Sequence, residues 1–253
     1  MSGWLAIAGL GPGAAELVTP EVTHALAQAT DLIGYAPYVA RVPERAGLTR
    51  HGSDNREELD RAMLALKLAA EDRRVVVVSS GDPGVFAMAA AIFEAVDEGD
   101  PSWRNLDIRV LPGISAMFAA AARIGAPLGH DFCAVNLSDN LKPWDLIERR
   151  LRLAAQAGFV IALYNPLSKA RPWQLGRALA LLSEELPETV PVVFADAVSD
   201  AKEAIDVTTL RDAVAARADM RTLVLIGSTQ TRLIARSSGR PFVYTPRSAG
   251  VSS

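Results

Sequence analysis

The sequence predicts an α/β fold built from two α/β domains. Segments with the pattern of buried strands alternate with helical segments along most of the 253 residues, and this alternation is typical of layered α/β proteins. The run Val75–Val78 places four β-branched residues in succession, as expected for a strand covered on both faces. Gly and Pro cluster over residues 125–131, and the alternation then resumes. We therefore predict an N-terminal domain over residues 1–124 and a C-terminal domain over residues 125–253.

Individual elements follow from local patterns in the first domain. Thr19 is expected to cap a helix that has Pro20 at its first position and ends near Ala29. Residues 55–72 are expected to form a helix that buries Leu59, Ala62, Met63, Leu66 and Ala70. The remaining expected strands cover residues 4–10, 32–35 and 108–111, and the remaining helices cover residues 85–96 and 114–124.

The second domain repeats the alternation but is expected to end in hairpins. The predicted strands are 132–137, 159–164, 190–194, 204–207 and 222–226, and the predicted helices are 144–157, 173–185 and a short one from Leu210. Because some late strands follow each other without an intervening helix, we expect a mixed second sheet.

Composition excludes several classes of function. The net charge is −3 and the pI about 5.7, so no overall field attracts nucleic acid or an anionic membrane. Apolar runs stay shorter than the ~18 residues of a membrane span, and no signal peptide is evident. Cys133 is the only cysteine, which excludes an internal disulfide and is expected to be a small buried hydrophobe. These features predict a cytoplasmic protein with no membrane, nucleic-acid or metal partner.

Gly-rich breaks follow four of the predicted strands. They are Gly9–Gly13, Ser80–Pro83, Pro112–Ser115 and Gly227–Thr229. In an open α/β sheet, ligands bind beyond the carboxyl ends of the strands, and glycine lets the backbone come close to a ligand. Four such loops on one edge would suit a nucleoside-sized ligand, whereas each loop alone could be an ordinary tight turn.

Gly9, Gly11 and Ala14 also match the G-x-G-x-x-A pattern of dinucleotide-binding proteins. Pro12 removes an amide where a pyrophosphate would need one, and Asp31 precedes the second strand instead of ending it. A dinucleotide-dependent oxidoreductase therefore stays an alternative, as does a non-catalytic scaffold.

Taken together, four motifs in order resemble the tetrapyrrole (uroporphyrinogen III and precorrin/corrin) methylase family. They are Gly9–Gly13, Ser80–Phe86, Leu111–Ala116 and Leu163–Pro166, and the resemblance extends from Trp4 to about Tyr244. It implies two α/β domains with the ligand cleft between them, a homodimer, S-adenosyl-L-methionine as cofactor and S-adenosyl-L-homocysteine as its product. Residues carried over by motif as cofactor contacts are Gly11, Pro12, Ser80, Gly81, Asp82, Val85, Ser115, Ala116, Tyr164, Asn165, Ala197, Gly227 and Ser228.

Further stretches resemble the branch of the family that methylates a precorrin at C17 and contracts the macrocycle during cobalamin biosynthesis. They include Gly34–Tyr38, His51–Glu57 and Leu137–Leu141 with Pro143–Trp144. Tyr35–Ala36 stands where uroporphyrinogen-methylating relatives carry Tyr-Asp, so their proposed aspartate base has no counterpart. The alternatives are a cobalt-factor III enzyme of the anaerobic route and another precorrin methylase, such as the C11 or C20 type.

Proton movement in such a reaction calls for a general acid or base. We rank Asp139 first, because its loop follows the first strand of the second domain; Tyr35, Ser138 and Asn140 are the other candidates. Asp139 could instead brace the following helix, and Asp82 could serve only as a turn residue. Candidates for binding the carboxylates of the tetrapyrrole substrate are Lys142, Lys169, Arg171, Arg232 and His51, of which His51 is better explained structurally.

Overall fold

The structure is a computed structural model that describes residues 3–54, 57–168 and 172–248. It divides into two compact units, Met1–Ser115 and Ala116–Ser253. The helix Ala116–Ile124 therefore belongs to the second unit, whereas the sequence placed it at the end of the first. The reason is local: the Met117 amide donates to the Tyr164 hydroxyl at 3.2 Å, which ties the start of this helix to a strand end of the second unit.

The first unit contains five strands and four helices among its described residues. In chain order they are β1 (Trp4–Gly9), α1 (Pro20–Gln28), β2 (Asp31–Tyr35), α2 (Ala36–Val39), β3 (Thr49–Ser53), α3 (Glu58–Ala70), β4 (Arg74–Ser79), α4 (Met88–Glu98) and β5 (Ile108–Leu111). Thr19 caps α1 as predicted, its hydroxyl accepting from the Val22 amide. Helix α4 begins at Met88 and not at Val85, so the preceding loop is longer than predicted.

All five strands of the first unit run parallel, in the order β3-β2-β4-β1-β5. Side chains of β1 alternate between two cores: Leu5 and Ile7 pack with α3 and α4, whereas Ala6 and Ala8 pack with Val22 of α1. Val75–Val78 is buried throughout, which confirms the two-sided cover predicted from its composition. The carboxyl ends of all five strands therefore lie at one edge of this sheet.

Helix α3 is present, but its buried face is rotated from the predicted one. Ala62 and Leu66 are buried as expected, whereas Leu59, Met63 and Ala70 are exposed. The inner face consists of Arg61, Ala62, Ala65, Leu66 and Ala69. Three of these five residues are alanines, whereas the larger Leu59 and Met63 lie on the exposed face.

The second unit contains a mixed sheet, as predicted. Its elements are α5 (Ala116–Ile124), β6 (Gly125–Ala126), β7 (Phe132–Asn136), α6 (Trp144–Gln156), β8 (Val160–Tyr164), α7 (Gln174–Glu185), β9 (Pro191–Asp196), β10 (Ala204–Thr209), β11 (Thr222–Ile226), β12 (Arg232–Ile234) and β13 (Phe242–Tyr244). The main sheet has the order β10-β9-β11-β8-β7, and a small sheet has the order β12-β13-β6. The helix predicted from Leu210 is wrong: that segment turns, and only Ala215–Arg217 forms a 3-10 turn.

Strand β3 was not predicted, because its sequence Thr-Arg-His-Gly-Ser is polar and it lies at a sheet edge. One of its residues, His51, is part of a buried polar network. Asp31 is 1% exposed, and its carboxylate accepts hydrogen bonds from His51 at 3.0 Å and from Arg73 at 2.8 and 3.0 Å. Burial opposes ionisation of Asp31, but the bonds from His51, Arg73 and Thr30 together lower its pKa below 3.8.

This network predicts a pH-dependent contribution to stability. Replacing Asp31→Asn is expected to lower the free energy of unfolding at pH 7 by about 2 kcal/mol, because charge-assisted hydrogen bonds are lost. Since the pKa is lower in the folded than in the unfolded state, the contribution is complete above pH 3.8 and is lost as the pH falls through the folded pKa. Urea unfolding of wild type and variant from pH 7 to pH 3 measures the difference, with Asp97→Asn, an exposed carboxylate, as control. A difference that is absent at pH 7, or unchanged at pH 3, would contradict this account.

Candidate cofactor and catalytic site

Three glycine-containing loops meet at the carboxyl edge of the first sheet. Gly11 and Gly81 form a two-way backbone bridge, with N–O distances of 3.2 and 2.9 Å, and both have φ near +65°. A Cβ on Gly9 would lie 2.5 Å from the Gly81 carbonyl oxygen, and one on Gly113 would lie 2.2 Å from the same oxygen. A side chain at Gly9 or Gly113 would therefore prevent the contact between the loops that follow β1, β4 and β5.

Asp82 ties two of these loops together. Its Oδ1 accepts from the Gly84 amide at 2.8 Å, and its Oδ2 accepts from the Gly113 amide at 3.0 Å. Asp82 does not cap α4, because that helix begins at Met88, whose amide donates to the Ser79 hydroxyl. The turn function of Asp82 that the sequence left open is thus present, and it also fixes the loop after β5.

Arg41 supports the first glycine loop and was missed by the sequence analysis. Its guanidinium donates to the carbonyl oxygens of Leu10, Gly11 and Gly13, at 2.5, 3.2 and 3.1 Å. Three carbonyl groups of the loop are thus satisfied within the protein, so the loop is held in one shape before a ligand binds. Nothing in the sequence around Arg41 marks it, since the contact joins segments 30 residues apart.

The dinucleotide pattern lacks its structural context. The glycine loop leads to a 3-10 turn at Ala15–Leu17, and α1 begins only at Pro20, so no helix N-terminus directly follows the loop to meet a pyrophosphate. Asp31 is the first residue of β2 and is held by Arg73 and His51, so it cannot serve as the ribose-binding acid at the strand end.

Strands β7, β8 and β9 of the second unit run in the same direction, and their carboxyl ends lie at one edge of the main sheet. Asn165 and Ala197, which follow β8 and β9, have positive φ angles of 51° and 46°, a conformation that asparagine tolerates better than most residues. The Asn165 side-chain amide donates to Asn136 Oδ1 at 3.0 Å. The structure thus brings the predicted residues Tyr164, Asn165 and Ala197 to one edge.

The loop after β7 carries three of the catalytic candidates to this same edge: Ser138, Asp139 and Asn140. Gln174, at the start of α7, donates to Asp139 Oδ1 at 3.3 Å; Gln174 is 2% exposed and was not predicted. Lys142 Nζ donates to the Ser138 carbonyl oxygen at 3.1 Å. Burial lowers the pKa of Lys142, nearby Arg150 adds to this, and Asp139 opposes it. Asp139 therefore lies in a polar cluster between a lysine and a buried amide.

Gly227 and Ser228 do not lie on that edge, so the prediction that four Gly-rich breaks share one edge is wrong. They follow β11, which runs antiparallel to both β8 and β9, so its carboxyl end is at the opposite edge. The Ser228 amide donates to Thr231 Oγ1, which contacts Thr245 Oγ1 at 2.9 Å. These residues are buried and connect the main sheet to the small one.

The remaining candidate residues lie in several different elements of the fold. Tyr35 ends β2 and packs edge-to-face on Tyr38, with ring centroids 5.2 Å apart. Ser115 is buried before α5, where Ala116 begins the helix. His51 and Arg232 lie within β3 and β12 and not on loops, and His51 is already bonded to Asp31. Lys169 and Arg171 lie outside the described residues.

Cys133 lies in β7 and is half-buried, and burial raises the pKa of its thiol. Among residues 3–54, 57–168 and 172–248, no helix is long and apolar enough to cross a membrane. The same ranges contain no group of three or more His, Cys, Asp or Glu residues arranged to hold a metal ion.

The first-unit edge suits an uncharged nucleoside better than a nucleotide. Pro12, Ser80 and Val85 are half-buried there, and they offer apolar surface, carbonyl oxygens and a hydroxyl. The guanidinium of Arg41 is directed to loop carbonyls, so it is not offered to a phosphate. This edge therefore favours a ligand without phosphate groups.

Known proteins resemble this chain in both sequence and fold. The family model for tetrapyrrole (corrin/porphyrin) methylases matches residues 5–214. A precorrin-3B C(17)-methyltransferase from a Sinorhizobium species is 57% identical, over 98% of this chain and 97% of that protein. A probable cobalt-factor III C(17)-methyltransferase from Salmonella typhimurium is 36% identical, over 90% of this chain and 93% of that protein. The crystal structure of the methyltransferase CobJ superposes with a TM-score of 0.92 at 60% identity, covering 97% of this chain and 100% of that one.

The chain belongs to the tetrapyrrole (corrin/porphyrin) methylase family. It is a methyltransferase, and its methyl donor is S-adenosylmethionine, which tetrapyrrole methylases use.

The contact between glycine loops predicts that Gly113→Ala impairs both stability and cofactor binding. The new methyl group would overlap the Gly81 carbonyl oxygen, so the loops must separate; we expect a loss of about 1–3 kcal/mol and weaker binding of S-adenosylhomocysteine. Calorimetric titration and urea unfolding measure the two effects.

Gly176→Ala is the matched control. Gly176 lies in α7, and the nearest atom to its added Cβ is 3.9 Å away, so this variant should gain up to about 1 kcal/mol and bind normally. Normal S-adenosylhomocysteine affinity in Gly113→Ala would show that the loop contact does not shape the cofactor site.

Proposed function

We propose that the protein transfers a methyl group from S-adenosylmethionine to C17 of precorrin-3B and contracts the ring to give precorrin-4, in cobalamin biosynthesis. The observation that carries this proposal is the 57% identity to a precorrin-3B C(17)-methyltransferase over nearly all of both chains. Identity to the probable cobalt-factor III enzyme is lower, at 36%, and this difference favours the metal-free substrate.

The cofactor is held, in this proposal, by the carboxyl-edge loops. In the first unit these are Pro12, Ser80, Gly81, Asp82 and Val85, with Gly11 shaping the loop through its bridge to Gly81. Ser115, Ala116, Tyr164, Asn165 and Ala197 complete the set. Gly227 and Ser228 are left out, because they lie at the opposite edge of the second sheet and are engaged in the Thr231–Thr245 network.

When bound, the cofactor supplies an electrophilic methyl group on a sulfonium. The chain's own contribution is then orientation and control of protons. Loops fixed by Arg41 and Asp82 before binding reduce the ordering needed when ligands arrive. We assign the proton-transfer function to Asp139, which Gln174 holds through a hydrogen bond. Ser138, Asn140 and Tyr35 stay as secondary candidates.

Substrate carboxylates require local cations in an acidic protein. Lys142 fits this function best among the described candidates, since its amine lies beside Ser138 and Asp139. Lys169 and Arg171 stay proposals. Arg232 is not proposed, because β12 comes shortly after the carboxyl end of β11, which lies at the sheet edge opposite the one that carries Asp139. His51 is not proposed, because its ring is already bonded to Asp31.

We also propose that the protein acts as a homodimer in the cytoplasm. Support for a dimer comes from Phe118 and Phe132, two exposed residues of the second unit. Their rings pack edge-to-face on each other with centroids 6.1 Å apart, and exposed aromatic side chains of this kind are enriched at protein interfaces.

Incubation with precorrin-3B and methyl-labelled S-adenosylmethionine tests the reaction. We expect a product heavier by one methyl group, with the label at C17 by NMR, and slower conversion of cobalt-factor III. Calorimetry should show binding of S-adenosylhomocysteine and none of NADH, and light scattering of the same sample should give the mass of two chains. A label on another carbon, or tight NADH binding alone, would overturn the assignment.

The function assigned to Asp139 predicts a separation between binding and turnover. Asp139→Asn should retain S-adenosylhomocysteine affinity and lower kcat by about 10²-fold or more, because a general acid or base is lost. Asp145→Asn, an exposed carboxylate in the first turn of α6, is the control and should keep normal turnover. Equal turnover in Asp139→Asn and the control would remove Asp139 from the mechanism.

A further inference from the structure

Arg61 is a buried arginine whose Nε makes no hydrogen bond within the described part of the chain. It lies on the inner face of α3 and is 4% exposed. Its Nε is buried and makes no hydrogen bond, whereas Arg73 on the next strand is bonded to Asp31. A buried donor without an acceptor is costly, so an acceptor that enters from outside the described chain would stabilise it.

Arg61 lines an open pocket of about 290 Å³ between β3 and α3. Ser53, at the carboxyl end of β3, lines the same pocket, and its hydroxyl is also buried without a hydrogen-bond partner among the described residues. The pocket therefore contains two independent buried donors, one charged and one neutral. His51 also lines it, but its ring is bonded to Asp31.

We propose that this pocket binds a carboxylate group. A guanidinium pairs with the two oxygens of a carboxylate, and a hydroxyl can donate to either of them. Glu57 and Asp60 also line the pocket and are exposed. Their negative charges disfavour a dianion such as phosphate more than a single carboxylate. The ligand is therefore a monoanionic carboxylate arm, not a phosphorylated compound.

The pocket adjoins the carboxyl end of β2. The Arg61 charge acts on the Tyr38 phenol, whose pKa is raised by burial and by Tyr35, and lowered in part by Arg41 and Arg61. Tyr38 in turn packs on Tyr35, which ends β2 at the same sheet edge as the glycine loops. This position favours an acetate or propionate arm of the tetrapyrrole as the carboxylate, an assignment that rests on the proposed function. A free carboxylic acid is the other source of the same chemistry.

Nitrogen-15 NMR of the arginine Nε–H groups tests the site directly. The Arg61 signal, identified by its loss in Arg61→Met, should shift saturably with sodium acetate and not with sodium chloride at equal ionic strength. Arg61→Met should also raise KM for precorrin-3B by about 10-fold or more, with kcat changed less than about twofold. An acetate shift with unchanged KM would support the pocket and assign it to a free carboxylic acid.

The urea midpoint of unfolding distinguishes an arginine that binds a ligand from one that only stabilises the fold. Because Arg61→Met removes a buried Nε that lacks an acceptor, its urea midpoint should be no lower than that of Lys67→Met, an exposed position on the same helix. The absence of a saturable acetate shift would overturn the proposal, as would a saturable shift with phosphate alone. If Arg61→Met fails to fold, Arg61→Lys, which keeps the charge and loses the planar fork, is compared instead. Methyl transfer and S-adenosylhomocysteine binding of the wild type, measured separately, show whether a failure concerns only this pocket or the proposed function.

Discussion

The close approach of three loop backbones at the edge of the first sheet is the constraint on which the proposed cofactor site depends. Gly9 and Gly113 each face the Gly81 carbonyl oxygen at a distance that leaves no space for a side chain. Asp82 and Arg41 then hold the same loops through amides and carbonyls. Backbone groups fixed in this way present a surface whose shape does not depend on flexible side chains, which is what recognition of a small nucleoside requires.

The fold was largely predictable because its strongest signals are local. Val75–Val78 and the Thr19–Pro20 cap each predict one structure from a few neighbouring residues, and the structure confirms both. Strand direction in the second sheet could not be predicted from local patterns. Whether β11 runs with or against β8 depends on how residues 197–221 cross the sheet, and no local pattern around Gly227 records this. The prediction that Gly227 and Ser228 share one edge with the other Gly-rich breaks was wrong for that reason.

The residues that sequence reasoning missed share one property: each acts through contacts distant in the chain. Arg41 is 30 residues from the loop it supports, and Gln174 is 35 residues from Asp139. A single arginine in a turn, or a single glutamine at the start of a helix, carries no signal of such a function. By contrast, Asp82 and Asn165 lie within motifs whose order along the chain resembles a known family, so their placement near strand ends could be predicted although their partners could not.

Asp31 and Arg61 show how the same physical cost leads to different conclusions. Both are charged residues buried in the first unit. Asp31 is surrounded by His51, Arg73 and Thr30, which lower its pKa and make the charge part of the fold. Arg61 has no such set of partners, yet it lies beside an open pocket with an unbonded hydroxyl. A charge compensated by the chain contributes to stability, whereas a buried donor without an acceptor lowers stability until a ligand supplies one. The Arg61 Nε and the Ser53 hydroxyl are therefore the two groups that the proposed carboxylate would satisfy.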